Sequence, residues 1–192
     1  MDELNIERHP LEPFLPKDTR LLMLGSFPPA RRRWCMDFFY PNFMNDMWRI
    51  FGLLLEGDKN HFVDIEAKTF RKARIEAMLT EKRIGIYDTA TVVCRTRNTA
   101  SDKDLEVIEP TDIDALLRRI PQCRALVTTG QKATDIVCQH FGISQPKVGG
   151  HTDFSTDGRA MRLYRMPSSS RAYPMKLEQK AEFYRQLLAA LD

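Results

Sequence analysis

Four short apolar runs, at residues 20–24, 84–87, 125–128 and 160–166, limit what this chain can fold into. They are too short for buried helices, and the first is apolar enough to be covered on both faces, as strands of a parallel sheet are. Between them the spacing turns helical. Met47, Ile50, Phe51 and Leu54 recur at intervals of three and four over residues 45–55. Phe70, Ile75, Met78 and Leu79 give residues 65–83 an apolar face, with a solvated basic face around Arg71, Lys72 and Arg74. Thr111-Asp112 starts a third helix through Leu116, Leu117 and Ile120, which Pro121 stops; Thr129-Gly130 opens a fourth that runs to Phe141. Leu177, Ala181, Tyr184, Leu187 and Leu188 mark a last helix at 176–191.

This alternation predicts an α/β fold with three layers, α/β/α, around a central, mainly parallel four-stranded sheet. The Asp157-Gly158 pair reads as a turn between two strands. The lead-in to Asp18, with Pro10, Pro13 and Pro16, is expected to run extended along the domain. Residues 91–110 contain a polar run from Arg95 to Asp102 and read as a second long loop.

A chain of 192 residues with 43% hydrophobic content suits one compact core, so a single domain over 1–192 is expected. The net charge of +3 permits a nucleic-acid partner without requiring one. Cys35, Cys94, Cys123 and Cys138 form no C-x-x-C pair, which excludes the usual zinc and redox motifs and suggests idle thiols in a reducing compartment. No stretch has the length of a membrane span and the N-terminus has no apolar leader. A soluble cytoplasmic monomer is expected, with no membrane partner, metal or cofactor.

The chemistry gathers after the strands. Gly25-Ser26-Phe27-Pro28, Asp88-Thr89, Thr129-Gly130 and Pro167-Ser168-Ser169-Ser170 all follow apolar runs, and in a parallel sheet those ends share one edge where ligands bind. Small residues there let the backbone approach a ligand and supply N–H and hydroxyl donors, a set suited to phosphate. The longest loop, between Gly25 and Asn45, carries Arg31-Arg32-Arg33-Trp34, which beside a cleft would track phosphates. There is no Walker motif and no G-x-G-x-x-G, which argues against a nucleoside triphosphatase or dinucleotide enzyme.

Five strings in order resemble the uracil-DNA glycosylase superfamily: LLMLGSFPP (21–29), Phe39-Tyr40 followed by Asn45-Asp46-Met47-Trp48 and Gly52, GIYD (85–88), TTGQKA (128–133) and MPSSSRAY (166–173). The nearest branch is the DNA-deoxyinosine, or hypoxanthine-DNA, glycosylases, where similar strings read L-G-S-x-P, Y-Y-x-x-P-x-N-x-F-W, N-G-x-K-A and L-P-S-T-S. The resemblance covers nearly the whole chain, including His9-Pro10. It implies an enzyme that flips a deaminated base (hypoxanthine, uracil or a related base) out of DNA and hydrolyses its N-glycosidic bond. By the same resemblance Tyr40 or Phe39 stacks on the base and the backbone of Gly25, Ser26 and Phe27 lines the pocket. Pro167, Ser168 and Ser169 pinch phosphates, beside Ser170, and Arg171 to Tyr173 press into the duplex.

Asn45 maps to the catalytic amide; its competing reading is a cap of the following helix, and Asn42 and Asp88 stand in reserve. Three positions depart from the family pattern. Phe27 replaces the Asp or Asn that usually positions water, Thr129 replaces a base-reading Asn, and Met166 replaces a His. His151, in a loop, reads as solvated. The departures open a second expectation: a non-catalytic module of the same fold that binds nucleic acid or a nucleobase-like ligand.

Overall fold

The computed structural model describes residues 5–97, 99 and 101–191. Its central sheet has five strands: β2 (Leu21–Gly25), β5 (Ile84–Asp88), β8 (Ala125–Thr129), β9 (His151–Thr156) and β10 (Arg159–Met166), in the order β5-β2-β8-β10-β9. The four expected strands are its parallel members, and the count of four is corrected by β9, which pairs antiparallel with β10 at one edge. Asp157 and Gly158 join them with φ of 49° and 70°, the left-handed pair a two-residue hairpin turn needs. Every residue of β2, β5 and β8 is buried, which explains their unbroken apolar sequence. Each fully covered Leu or Ile side chain there contributes roughly 1.5–3 kcal/mol.

The helices are α1 (Met47–Glu56), α2 (Lys72–Lys82), α3 (Ile113–Arg119), α4 (Gln131–Phe141) and α5 (Leu177–Ala189). α1 packs on α5, α2 on β5 and α4 on β8. Two of them start later than their periodicity suggests. The Asn45 carboxamide oxygen accepts the Met47 N–H at 2.9 Å, so the chain before Met47 is held as a turn. Ahead of α2, Val63–Asp64 (β3) and Thr69–Phe70 (β4) form a hairpin; Asp64 Oδ1 accepts the Ala67 N–H at 3.0 Å, and Val63 and Phe70 are buried opposite each other.

Residues 91–110 correct the expectation of a loop. Their two ends, 91–95 and 105–110, belong to a second, antiparallel sheet of β1 (Ile6–Arg8), β6 (Ala90–Arg95) and β7 (Leu105–Pro110), ordered β1-β6-β7. Asn98 and Ala100, in the polar run between β6 and β7, lie outside the described residues. The lead-in is extended as expected: β1 pairs with β6, and Phe14 bridges to Ile86 of β5. This small sheet lies over the strand ends. Phe27 is buried in a cluster with Ala90, Val93 and Leu105, while the Arg95 guanidinium donates to Glu7 at 2.7 and 3.1 Å and to the Pro28 carbonyl at 3.1 Å. Among the described residues no helix is long and apolar enough to cross a membrane.

Candidate functional site

The carboxyl ends of β2, β5 and β8 bring four of the expected residues together. Tyr40 Oη and Thr129 Oγ1 share a hydrogen bond of 3.0 Å. A methyl group placed on Gly25 would lie 2.5 Å from Asp88 Oδ1 and 3.4 Å from Tyr40 Oη, so Gly25, Tyr40, Asp88 and Thr129 converge on one point. A Cβ there would force the Asp88 carboxylate to move. Tyr40 takes φ of 51°, a left-handed backbone that costs a side-chain-bearing residue roughly 1–2 kcal/mol. Its ring packs edge-on to Trp48 at 5.9 Å, and Trp48 Nε1 donates to the Phe39 carbonyl at 3.1 Å, which fixes this part of the loop on α1.

Phe39 is buried among the rings of Phe38, His9 and Tyr87. Tyr40 is the partly exposed member of the aromatic pair. Its phenol is pushed well above the usual range by burial and then by the Asp88 carboxylate, so it stays a neutral hydroxyl.

Two groups to which the sequence assigns no role complete this edge. His9, which directly follows β1, reaches Asp88: Nε2 lies 2.7 Å from Asp88 Oδ2, and Nδ1 accepts the Leu11 N–H at 3.1 Å. The tautomer with the proton on Nε2 satisfies both bonds. The only sequence signal for it is the His9-Pro10 pair. Asp102 takes the Ser26 hydroxyl at 2.7 Å, and its Oδ2 is 3.6 Å from where a Gly130 methyl would stand. It lies inside a polar run with no periodicity.

Burial, and less strongly Asp88, raise the Asp102 pKa, against the Ser26 hydrogen bond and the charges of Lys132 and Arg95. A carboxyl whose folded pKa exceeds its unfolded value binds more protons when folded, so its contribution to stability rises as pH falls through the folded pKa. Asp102→Asn keeps an acceptor for Ser26 and removes the buried charge. It is expected to raise the melting temperature at pH 7, with the gain shrinking as pH drops toward the ordinary carboxylate range. Thermal melts at pH 7 and pH 4 check this; a lower melting temperature at pH 7 would show the charge to be stabilising.

A second group sits next to the first, at the end of β10. Met166 is paired with Thr129 and fully buried, and Pro167 to Arg171 follow it. Three carbonyls clamp this segment: Pro167 O accepts from Tyr184 Oη at 2.9 Å, Ser169 O from the Asp46 N–H at 2.9 Å, and Ser170 O from Lys180 Nζ at 2.7 Å. Ser168 Oγ accepts the Ser170 N–H at 3.2 Å. Lys180 is fully buried and also pairs with Asp46 Oδ2 at 3.1 Å, while Arg171 reaches Asp46 Oδ1 at 3.4 Å. Asn45 therefore stands one residue from a backbone bond to the serine loop. Its side chain is partly exposed and its oxygen serves α1 as described; Asn42 Oδ1 similarly accepts the Met44 N–H at 3.0 Å.

Arg31, Arg32 and Arg33 form an exposed 3-10 turn. Arg31 pairs with Asp37 and lies 4.4 Å from the centre of the Trp34 ring, beside a cavity of about 380 Å³ whose walls include Glu7, Phe27 and Pro28. His151 starts β9 and is exposed. All four cysteines are free. Among the described residues no cluster of three His, Cys, Asp or Glu side chains could hold a metal ion.

No family model matches the chain, and no curated protein matches it. Its fold is shared with the solution NMR structure of a candidate uracil DNA glycosylase from Methanosarcina acetivorans. The TM-score is 0.62 and the identity 22%, over 97% of this chain and 98% of that one.

Proposed function

We propose that the protein is a monofunctional DNA glycosylase that extrudes a deaminated base and hydrolyses its N-glycosidic bond. The observation that carries this reading is the meeting of Tyr40, Thr129, Gly25 and Asp88 at one point of the strand ends. Flipping costs a few kcal/mol, least at a mispaired base. Stacking on Tyr40 returns roughly 1–3 kcal/mol, and the Thr129 hydroxyl, which can donate or accept, reads the base edge.

The sugar develops positive charge as the bond breaks while the base leaves with the electron pair. Asp88, held by His9, and Asp102 supply negative potential on one side of this edge. The Asn45 amide, with its oxygen on Met47, has its nitrogen to orient water or the departing base. The serine loop at 167–170, Arg171 and the turn at Arg31–Arg33 hold phosphates. The shared fold supports the same reading.

The test is release of free base from oligonucleotides carrying uracil, hypoxanthine or a related lesion, single- and double-stranded, with cleavage of the resulting abasic site by alkali. Release of at least one base is expected. Phe27 and Met166 are both buried and bring no polar group to the reaction, which favours the second reading, a binding module of the same fold. Salt-sensitive DNA binding with every base left in place would establish that reading instead.

A further inference from the structure

On the α1/α5 side of the serine loop is a cavity of about 490 Å³ whose walls carry Arg49, Lys59, Arg171 and Lys176. Against these four cations the lining offers one carboxylate, Asp46. That carboxylate is already taken, with Lys180 on Oδ2 and Arg171 on Oδ1. Arg49 is no solvated surface cation: it is 8% exposed, its Nη1 donates to the Phe43 and Asn45 carbonyls at 2.8 and 2.9 Å, and its guanidinium lies over the rings of Phe43 and Phe70. Fixed guanidinium groups with little freedom left to lose bind planar or tetrahedral oxyanions better than flexible ammonium groups do. Burial and then the charge of Arg171 lower the Arg49 pKa, a repulsion that an anion between the two would relieve.

We propose that this cavity is an anion seat for a phosphate group, and that it holds a phosphodiester of the DNA strand whose base is extruded. The seat stands on its own geometry; its assignment to DNA rests on the glycosylase reading. The placement fits that assignment, because Arg49 is bonded to the carbonyl of Asn45 and Arg171 ends the serine loop, so a strand crossing that loop enters the cavity. This adds Arg49, Lys59 and Lys176 to the DNA footprint.

The experiment uses the full chain with Lys59 and Lys176, both exposed at the cavity wall, changed to Glu, or to Gln as a milder pair. Arg118→Glu with Arg119→Glu on α3 is the charge-matched control. Binding of a labelled oligonucleotide is measured between 50 and 200 mM salt, and inorganic phosphate or a deoxynucleoside monophosphate is titrated while the Arg49 and Arg171 side-chain NMR signals are followed. The double Glu variant is expected to bind DNA about tenfold more weakly than the control variant. The slope of log affinity against log salt should become shallower by about one for each phosphate that is no longer neutralised. Phosphate is expected to move both arginine signals in the parent protein and not in the variant.

DNA binding equal to the control, with phosphate moving neither signal, would overturn the proposal. DNA binding equal to the control while phosphate still moves the signals would keep the seat and overturn its assignment to DNA. Absence of DNA binding by the parent protein, with those signals still responding to phosphate, would remove the glycosylase reading and keep the seat for a free phosphate compound.

Discussion

Asn45→Ala is expected to lower base release by about 10²–10³-fold, the usual loss when one positioned donor is removed from a reaction centre. The side chain has two jobs, which a second substitution separates. Its oxygen holds the Met47 N–H at the start of α1, and losing such a bond costs about 1 kcal/mol. Asn45→Ser keeps a short acceptor for that N–H and lacks the amide nitrogen. If the amide acts on the substrate, both variants lose base release under single-turnover conditions, while only the alanine variant melts measurably earlier. If Asn45 is only a cap, the serine variant keeps its activity, and the catalytic role must pass to another group on this edge, such as Asp88 beside Gly25 or Asp102 beside Ser26.

Lys180→Met is expected to be the most destabilising of these changes. The ammonium is fully buried and joins α5 to the residue before α1 and to the serine loop. Breaking a buried ion pair from one side costs about 3–5 kcal/mol, because the surviving charge is left without its partner. Arg171 still reaches Asp46, at 3.4 Å, which places the loss at the lower end. For a chain of this length that is a fall of about 6–12 °C in melting temperature. Adding Asp46→Asn removes the stranded carboxylate and should recover part of the fall. A single variant whose melting temperature equals that of the parent would mean that the pair adds no net stability, its attraction being offset by the cost of burying the two charges.

The parts of the fold that could be read in advance are those set by periodicity. The runs that became β2, β5, β8 and β10 are largely apolar because they lie inside the central sheet, and their shortness and closing turn residues suit a buried strand better than a helix. The small sheet escaped because β1 and β7 are largely exposed and its strands pair across long separations: Ile6 lies opposite Cys94 and Val93 opposite Val107. Local pattern carries no record of such partners. Missing that sheet hid the bond between His9 and Asp88, which are 79 positions apart, and the closing of Asp102 over Ser26.

The meeting of Gly25, Asp88 and Thr129 in the candidate site was legible because strand ends in a parallel sheet share an edge, and all three stand at the ends of apolar runs in the sequence. Lys180 was not. It occupies a buried position beside Ala181 on α5, and only the tertiary meeting of Asp46 with the Ser170 carbonyl makes a charge tolerable there.

On the glycosylase reading, the left-handed backbone at Tyr40 bears on selectivity. A residue held at φ of 51°, with its ring wedged on Trp48 and its hydroxyl tied to Thr129, cannot swing to follow whatever enters. An incoming heterocycle meets a rigid die, not a hinge. Discrimination should then fall on outline, with bulkier rings refused at the threshold rather than admitted and rejected later.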